Sequence, residues 1–233
     1  DEGHPSVPIY NPDGTLTHSA AYTIGDFIYG KNGIDTNNRV LRNTTSFTAS
    51  FLDNKIHVRG DFTFRNTDQG ETQRRVAVPY STQEGVISYL STQYNDLQEY
   101  KKETNYLATN IYADYEDTFN DDHYFKGMIG YNYEQSTYDA LKVLRNGLLL
   151  EDSKNINMAL GDAITTSGEY NRWRVAGAFF RLNYAYKDRY LVEVNGRYDG
   201  SSKFPTDQQW AFFPSVSAGW RLSEEAFWNV KPE

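Results

Sequence analysis

From residue 54 the chain reads "NKIHVRGDFTFRN", and its apolar and polar positions alternate. Ile56, Val58, Phe62 and Phe64 share a face with Gly60, while Lys55, His57, Arg59, Asp61, Thr63 and Arg65 share the other, because side chains in a strand point alternately to opposite faces. Just upstream, "RNTTSFTASFLD" sets Phe47, Ala49 and Phe51 against Ser46, Thr48 and Ser50. The two runs meet at residues 52 to 55, "LDNK", which predicts a tight hairpin turn.

Further runs follow the same plan. "TNYLATNIYADYEDTF" (104 to 119) turns through "NDD" into "HYFKGMIGYNYEQS", where Phe125, Ile129, Tyr131 and Tyr133 line up. The phase of the first is ambiguous, since Tyr106 and Tyr112 oppose Leu107 and Ile111. "RWRVAGAFFRLNYAYKD" (172 to 188) presents Phe180, Leu182, Tyr184 and Tyr186 on one face; Trp173 and Val175 are out of phase, which predicts a bulge. "RYLVEVNGRYDGSSKF" (189 to 204) puts Tyr190, Val192, Val194 and Tyr198 opposite Glu193, Asn195, Arg197 and Asp199. A last run sets Trp210, Phe212, Val216, Ala218, Trp220 and Leu222 against Ser215, Ser217 and Arg221, with a bulge expected at Pro214. Turns near 53, 120 and 188 are short, whereas the connections at 67 to 101, 137 to 170 and 200 to 209 are expected to be long loops. Strict alternation puts every long loop at one end, as in transmembrane β-barrels with short periplasmic turns and long extracellular loops. The expected class is therefore all-β, a segment of a transmembrane antiparallel barrel. Val58, Phe62, Val192, Val194, Val216 and Ala218 are then expected to face lipid, and Arg59, Asp61, Glu193, Asn195 and Arg197 a hydrated lumen. Two aromatic girdles, Tyr184, Tyr186 and Tyr190 against Tyr198, Trp210 and Phe212, would flank the apolar band.

Composition sharpens this. The chain has 233 residues, 19 of them Tyr, with aromatics at 15% and a mean hydropathy of -0.71. Its apolar area therefore lies in rings with polar tips, which settle where one end is dry and the other wet. A soluble, Tyr-rich carbohydrate-binding β-sandwich shares that composition and stands as the alternative. A net charge of -8 argues against nucleic acid as a partner. There is no cysteine, hence no disulfide framework or thiolate metal site. No apolar run approaches the ~18 residues of a transmembrane helix, and "DEGHPSVPIY" lacks the features of a signal peptide.

The blocks "FRLNYAYKDRYLVEVNGRYDGSSKF" and "FFPSVSAGWRLSEEAFW", with "NPDGT" (11 to 15), "VRGDFTFR" (58 to 65) and "YLATNIYADYEDTF…HYFKGMIGYNYE", closely resemble the barrel of the SusC/RagA family of TonB-dependent outer-membrane transporters of Bacteroidetes. The resemblance covers nearly the whole chain and is weakest in the long connections. It implies a plugged barrel of about 22 strands, a TonB-contacting segment outside this chain, and a SusD-like lipoprotein over the extracellular mouth. With seven or eight strands and no recognisable plug, residues 1–233 are expected to be an internal portion of such a barrel. The implied function is import of oligosaccharides or peptides.

No catalytic constellation stands out and no cofactor is implied. His4, His18, His57 and His123 show no metal-ligand spacing, and His57 is expected as a solvated lumen residue. The pairs at 121–122 and 224–225 are carboxylates at turns. "GKNG" (30 to 33) is too short for a phosphate loop. "RGD" (59 to 61) is expected within a strand rather than as an adhesion loop, and the Asn43 sequon likewise lies in a strand. The expected binding residues are Tyr80, Tyr89 and Tyr94, as the most exposed rings of a long loop; exposed tyrosine serves glycan and peptide alike, and packing within the loop or against the lid is the competing reading.

Overall fold

A computed structural model describes residues 6–162 and 164–228, so His4 lies outside the described residues. After a helix, α1 (His18–Tyr29), come seven strands: β1 (Gly33–Phe51), β2 (Ile56–Gln83), β3 (Val86–Phe119), β4 (His123–Asn146), β5 (Ile164–Tyr186), β6 (Tyr190–Ser201) and β7 (Trp210–Trp220). They form one sheet in sequential order β1 to β7. A sandwich needs two sheets packed face to face, and the described residues form a single one.

Two expectations are corrected. Residues 67 to 101 are not a loop: β2 and β3, 28 and 34 residues long, run on to the two-residue turn Glu84–Gly85. Likewise β4 and β5 narrow the 137 to 170 connection to the stretch between Asn146 and Ile164. The short turns at the other end are as expected. Each holds two or three successive residues at left-handed φ: Leu52, Asp53 and Asn54; Asn120 and Asp121; Lys187 and Asp188. Asn and Asp tolerate that region.

No bulge interrupts the pairing of β5, β6 and β7 between Val175 and Trp220. The register runs unbroken from Val175↔Ser201 to Tyr186↔Tyr190, and from Tyr190↔Trp220 through Gly196↔Pro214 to Gly200↔Trp210. Trp173 and Val175 are out of phase because they belong to the polar face. Pro214 sits opposite Gly196 in an intact register.

The chain divides into two compact units, residues up to 40 with 67–103 and 138–170, and residues 41–66 with 104–137 and 171 onward. The first holds an ordinary core. Leu16, Ala20, Ala21 and Val78 form one cluster, and Val76, Leu97, Leu148 and Ala159 another. Helix α1 begins at Thr17, whose side chain accepts from Ala20 N, and ends at Gly30 with φ 68°, the usual cap chemistry at both ends. Gly25 lets it lie close on β2, since a Cβ there would meet Val78 Cγ1 at 2.9 Å.

The second unit is inverted. Its buried residues include Thr63 and Asp114, while Phe47, Phe62, Ile129, Leu182, Val192, Phe212 and Val216 are exposed, the last to 70%. Across β5, β6 and β7 these form continuous rows: Leu182–Val194–Val216, Tyr184–Val192–Ala218 and Ala178–Tyr198–Phe212. The alternate rows are Arg181–Asn195–Ser215 and Asn183–Glu193–Ser217. An apolar surface this continuous marks a membrane or protein interface.

Candidate functional site: the polar face and the tyrosine hairpin

On the polar face of the second unit many of the long side chains have partners. Asp114, its side chain only 3% exposed, accepts from Arg59 and from His57 Nδ1 at 3.0 Å. The carboxylate is thus buried but doubly bonded, which offsets its desolvation. His57 is therefore a partner of Asp114 rather than a freely solvated residue. Asn110 Nδ2 donates to Asp61 Oδ1 at 3.0 Å, and Asn195 to Glu193 at 3.0 Å. Arg197 binds Asp199 through Nε and Nη2 at 3.1 and 2.9 Å and reaches Asn132 on β4 at 3.0 Å. That reach across β5 depends on Gly177, where a Cβ would meet Asp199 Oδ1 at 2.1 Å.

The five residues expected to share a wet face, Arg59, Asp61, Glu193, Asn195 and Arg197, thus lie together on one polar face. The phase of β3 is settled by contacts. Tyr112 lies under Arg59 at 5.9 Å, and Tyr106 donates to Glu134 at 3.0 Å with Arg65 over its ring at 5.1 Å. Both tyrosines belong to the polar face, and Ile111 to the apolar one. Trp173 joins them, 6.4 Å from Tyr106 and with Lys203 over it at 4.8 Å. A cation–aromatic ladder was hidden in the sequence because its members come from four separate segments.

The tyrosine candidates of the first unit differ from one another. Tyr89 is exposed to 51%. Tyr94 is half-buried beneath Arg75, whose guanidinium lies 4.4 Å from the ring centre and bonds Asp96 at 2.9 and 2.7 Å. Tyr80 is half-buried against the α1 cluster, edge-on to His18 at 4.9 Å. The expectation that all three are highly exposed is corrected for Tyr80 and Tyr94. Helix α1, unread in the sequence, is what covers Tyr80.

At the end of the apolar rows nearest the 187–189 turn, Tyr186, Tyr190 and Trp220 stack with centroids 6.4 and 6.3 Å apart. At the other end Tyr198 stacks on Trp210 at 5.2 Å. Eight residues of β6 separate the two aromatic levels, about 26 Å along the strand, or about 20 Å of height at the tilt usual for outer-membrane strands, somewhat less than a full apolar band. Beyond β7 the chain folds back, and Glu225 accepts from Tyr190 Oη at 2.6 Å and Trp220 Nε1 at 3.1 Å, with Arg189 at 3.3 Å. These bonds, Tyr190 first, hold its carboxyl below the ordinary 4.5. A depressed carboxyl contributes stability that is present above its unfolded pKa and lost as pH falls through the folded one. In the intact protein the resonance of 5-fluoro-Trp220, assigned by its loss in Trp220→Phe, should therefore move below pH 4.5 and stay fixed in Glu225→Gln. A midpoint above that pH would refute the clamp.

The family model for "TonB dependent receptor-like, beta-barrel" matches residues 4–230. TonB-dependent receptor P3 of Formosa agariphila is 26% identical over 232 residues, 96% of this chain and 22% of its own length. TonB-dependent receptor SusC of Bacteroides thetaiotaomicron is 49% identical over 49 residues, 21% of this chain and 5% of its own. Among solved structures, the RagAB peptide importer in the closed-closed state superposes with a TM-score of 0.71 at 13% identity, covering 88% of this chain and 22% of that one. The chain thus spans less than a quarter of the length of each.

Proposed function

The chain belongs to the TonB dependent receptor-like, beta-barrel family, in its SusC/RagA branch, and from that premise we propose that the protein containing it imports oligosaccharides or peptides through the bacterial outer membrane. The observation that carries the proposal is the inversion of the second unit, with apolar rows exposed and carboxylates and guanidiniums bonded on the opposite face. Residues 1–233 then form part of a barrel wall. The apolar rows meet lipid, and Arg59, Asp61, Glu193, Asn195 and Arg197 face the lumen. Their paired charges offer a passing solute weak polar contacts and no nucleophile–base pair, so the ligand crosses unchanged. Energy comes through TonB by a segment outside this chain, and a SusD-like lipoprotein closes the mouth.

Ligand capture is assigned to the β2–β3 hairpin, with Tyr89 as the leading contact, Tyr94 under Arg75 as a second one, and Tyr80 holding the hairpin to α1. In the full-length protein, Tyr89→Ala should lower uptake of labelled ligand about tenfold with assembly intact, the scale of one lost aromatic contact. Tyr80→Ala should instead reduce folded yield. Unchanged uptake in the Tyr89→Ala, Tyr94→Ala double variant would remove the loop assignment. Cleavage of the ligand by purified transporter would sink transport without chemistry.

A further inference from the structure

The apolar face of the second unit ends, away from the 187–189 turn, in two arginines. Arg174 N donates to Ser202 Oγ at 2.8 Å and its carbonyl accepts from Ser202 N at 2.9 Å, one row beyond Val175↔Ser201. Alternation therefore places Arg172 and Arg174 on the face of Ala176, Ala178 and Phe180. Arg172 Nη2 and Arg174 Nε donate to the same atom, Gln135 Oε1, at 2.9 and 3.0 Å, and Tyr133 Oη donates to it at 3.0 Å. Both arginines are exposed, and the ion pairs among the described residues include neither. A neutral amide thus gathers two cations side by side, a juxtaposition that calls for an anion from outside the chain. Guanidinium forks suit phosphate best.

A second feature lies below them. Ala113, Ala178 and Gly196 are small, and the larger Ile129, Phe180 and Tyr198 leave between them an apolar trough of about 590 Å³ on the same face. Ala178 is four residues from Arg174, about 13 Å down the strand. The pair of cations and the trough are thus spaced as the head and the chain of an amphiphile.

We propose that this face carries a specific site for a membrane lipid with a phosphate headgroup, the phosphate held by Arg172 and Arg174 and one acyl chain lying in the trough. The site rests on the reading that the apolar rows meet lipid. It would select one lipid from the leaflet opposite the short turns.

The test uses the full-length transporter in nanodiscs, with native mass spectrometry of retained phosphatidic acid against diacylglycerol of the same acyl chains. The wild type should prefer phosphatidic acid by about tenfold, the least expected of a charge-assisted hydrogen bond. Arg172→Gln with Arg174→Gln should abolish the preference, and Ala178→Trp, which fills the trough, should lower the amount of both lipids retained. Heat-modifiable migration identifies folded variants, and the single Gln variants serve if the double one does not assemble. An undiminished preference in folded Gln variants overturns the proposal. Displacement by inorganic phosphate, with Ala178→Trp silent, also overturns it and leaves a free-anion site. On the same samples, bilayer protection of Val194→Cys from a water-soluble maleimide reports the lipid face independently, so loss of that protection separates failure of the underlying reading from failure of this one.

Discussion

Val194→Arg should destabilise the folded protein in a bilayer by about 2 to 4 kcal/mol, whereas Asn195→Arg should cost far less. Val194 stands in the row Leu182–Val194–Val216, halfway along β6 between the aromatic levels of Tyr190 and Tyr198. If that face meets lipid, a guanidinium there enters the middle of the hydrocarbon, where the cost of a charge is greatest. Asn195, in the row with Arg181 and Ser215, already lies among polar groups. Urea titration of the full-length protein in liposomes compares the two substitutions directly. Equal costs would mean that the faces are wrongly assigned, and a cost on Asn195 alone would reverse them.

Arg59→Met should remove about 3 kcal/mol, the scale expected when one partner of a buried charge is lost. Asp114 is nearly inaccessible, with Arg59 and His57 as its bonded side-chain partners. Methionine keeps much of the stem volume, so the loss reports the stranded carboxylate rather than a cavity. Asp114→Asn in the Arg59→Met background should recover most of it, because a neutral amide is far cheaper to bury than an anion. A double variant as unstable as the single one would refute the electrostatic origin.

What the sequence determines by itself is the second unit. Ile56 to Phe64 and Tyr190 to Tyr198 alternate cleanly because one face of each strand there is apolar and the other polar, and a period of two is the direct imprint of that division. The short turns were legible for a related reason, since Asn120–Asp121 tolerates left-handed backbone; Lys187 carries no such signal and is held by the register of its strands. Tertiary structure decided the rest. "RNTDQGETQRRV" has no apolar alternation, yet it continues β2, because there the ladder to neighbouring strands, rather than an apolar boundary, holds the chain extended. Helix α1 is short, and most of its stability comes from docking Ala20 and Ala21 against Val78, a contact made across more than fifty residues. That docking is also what removes Tyr80 from solvent. Asp114 meets Arg59, and Arg172 and Arg174 meet Gln135, only once β2 to β5 are in register. Periodicity tells which face a side chain occupies, but only the pairing of strands decides which charge stands beside it.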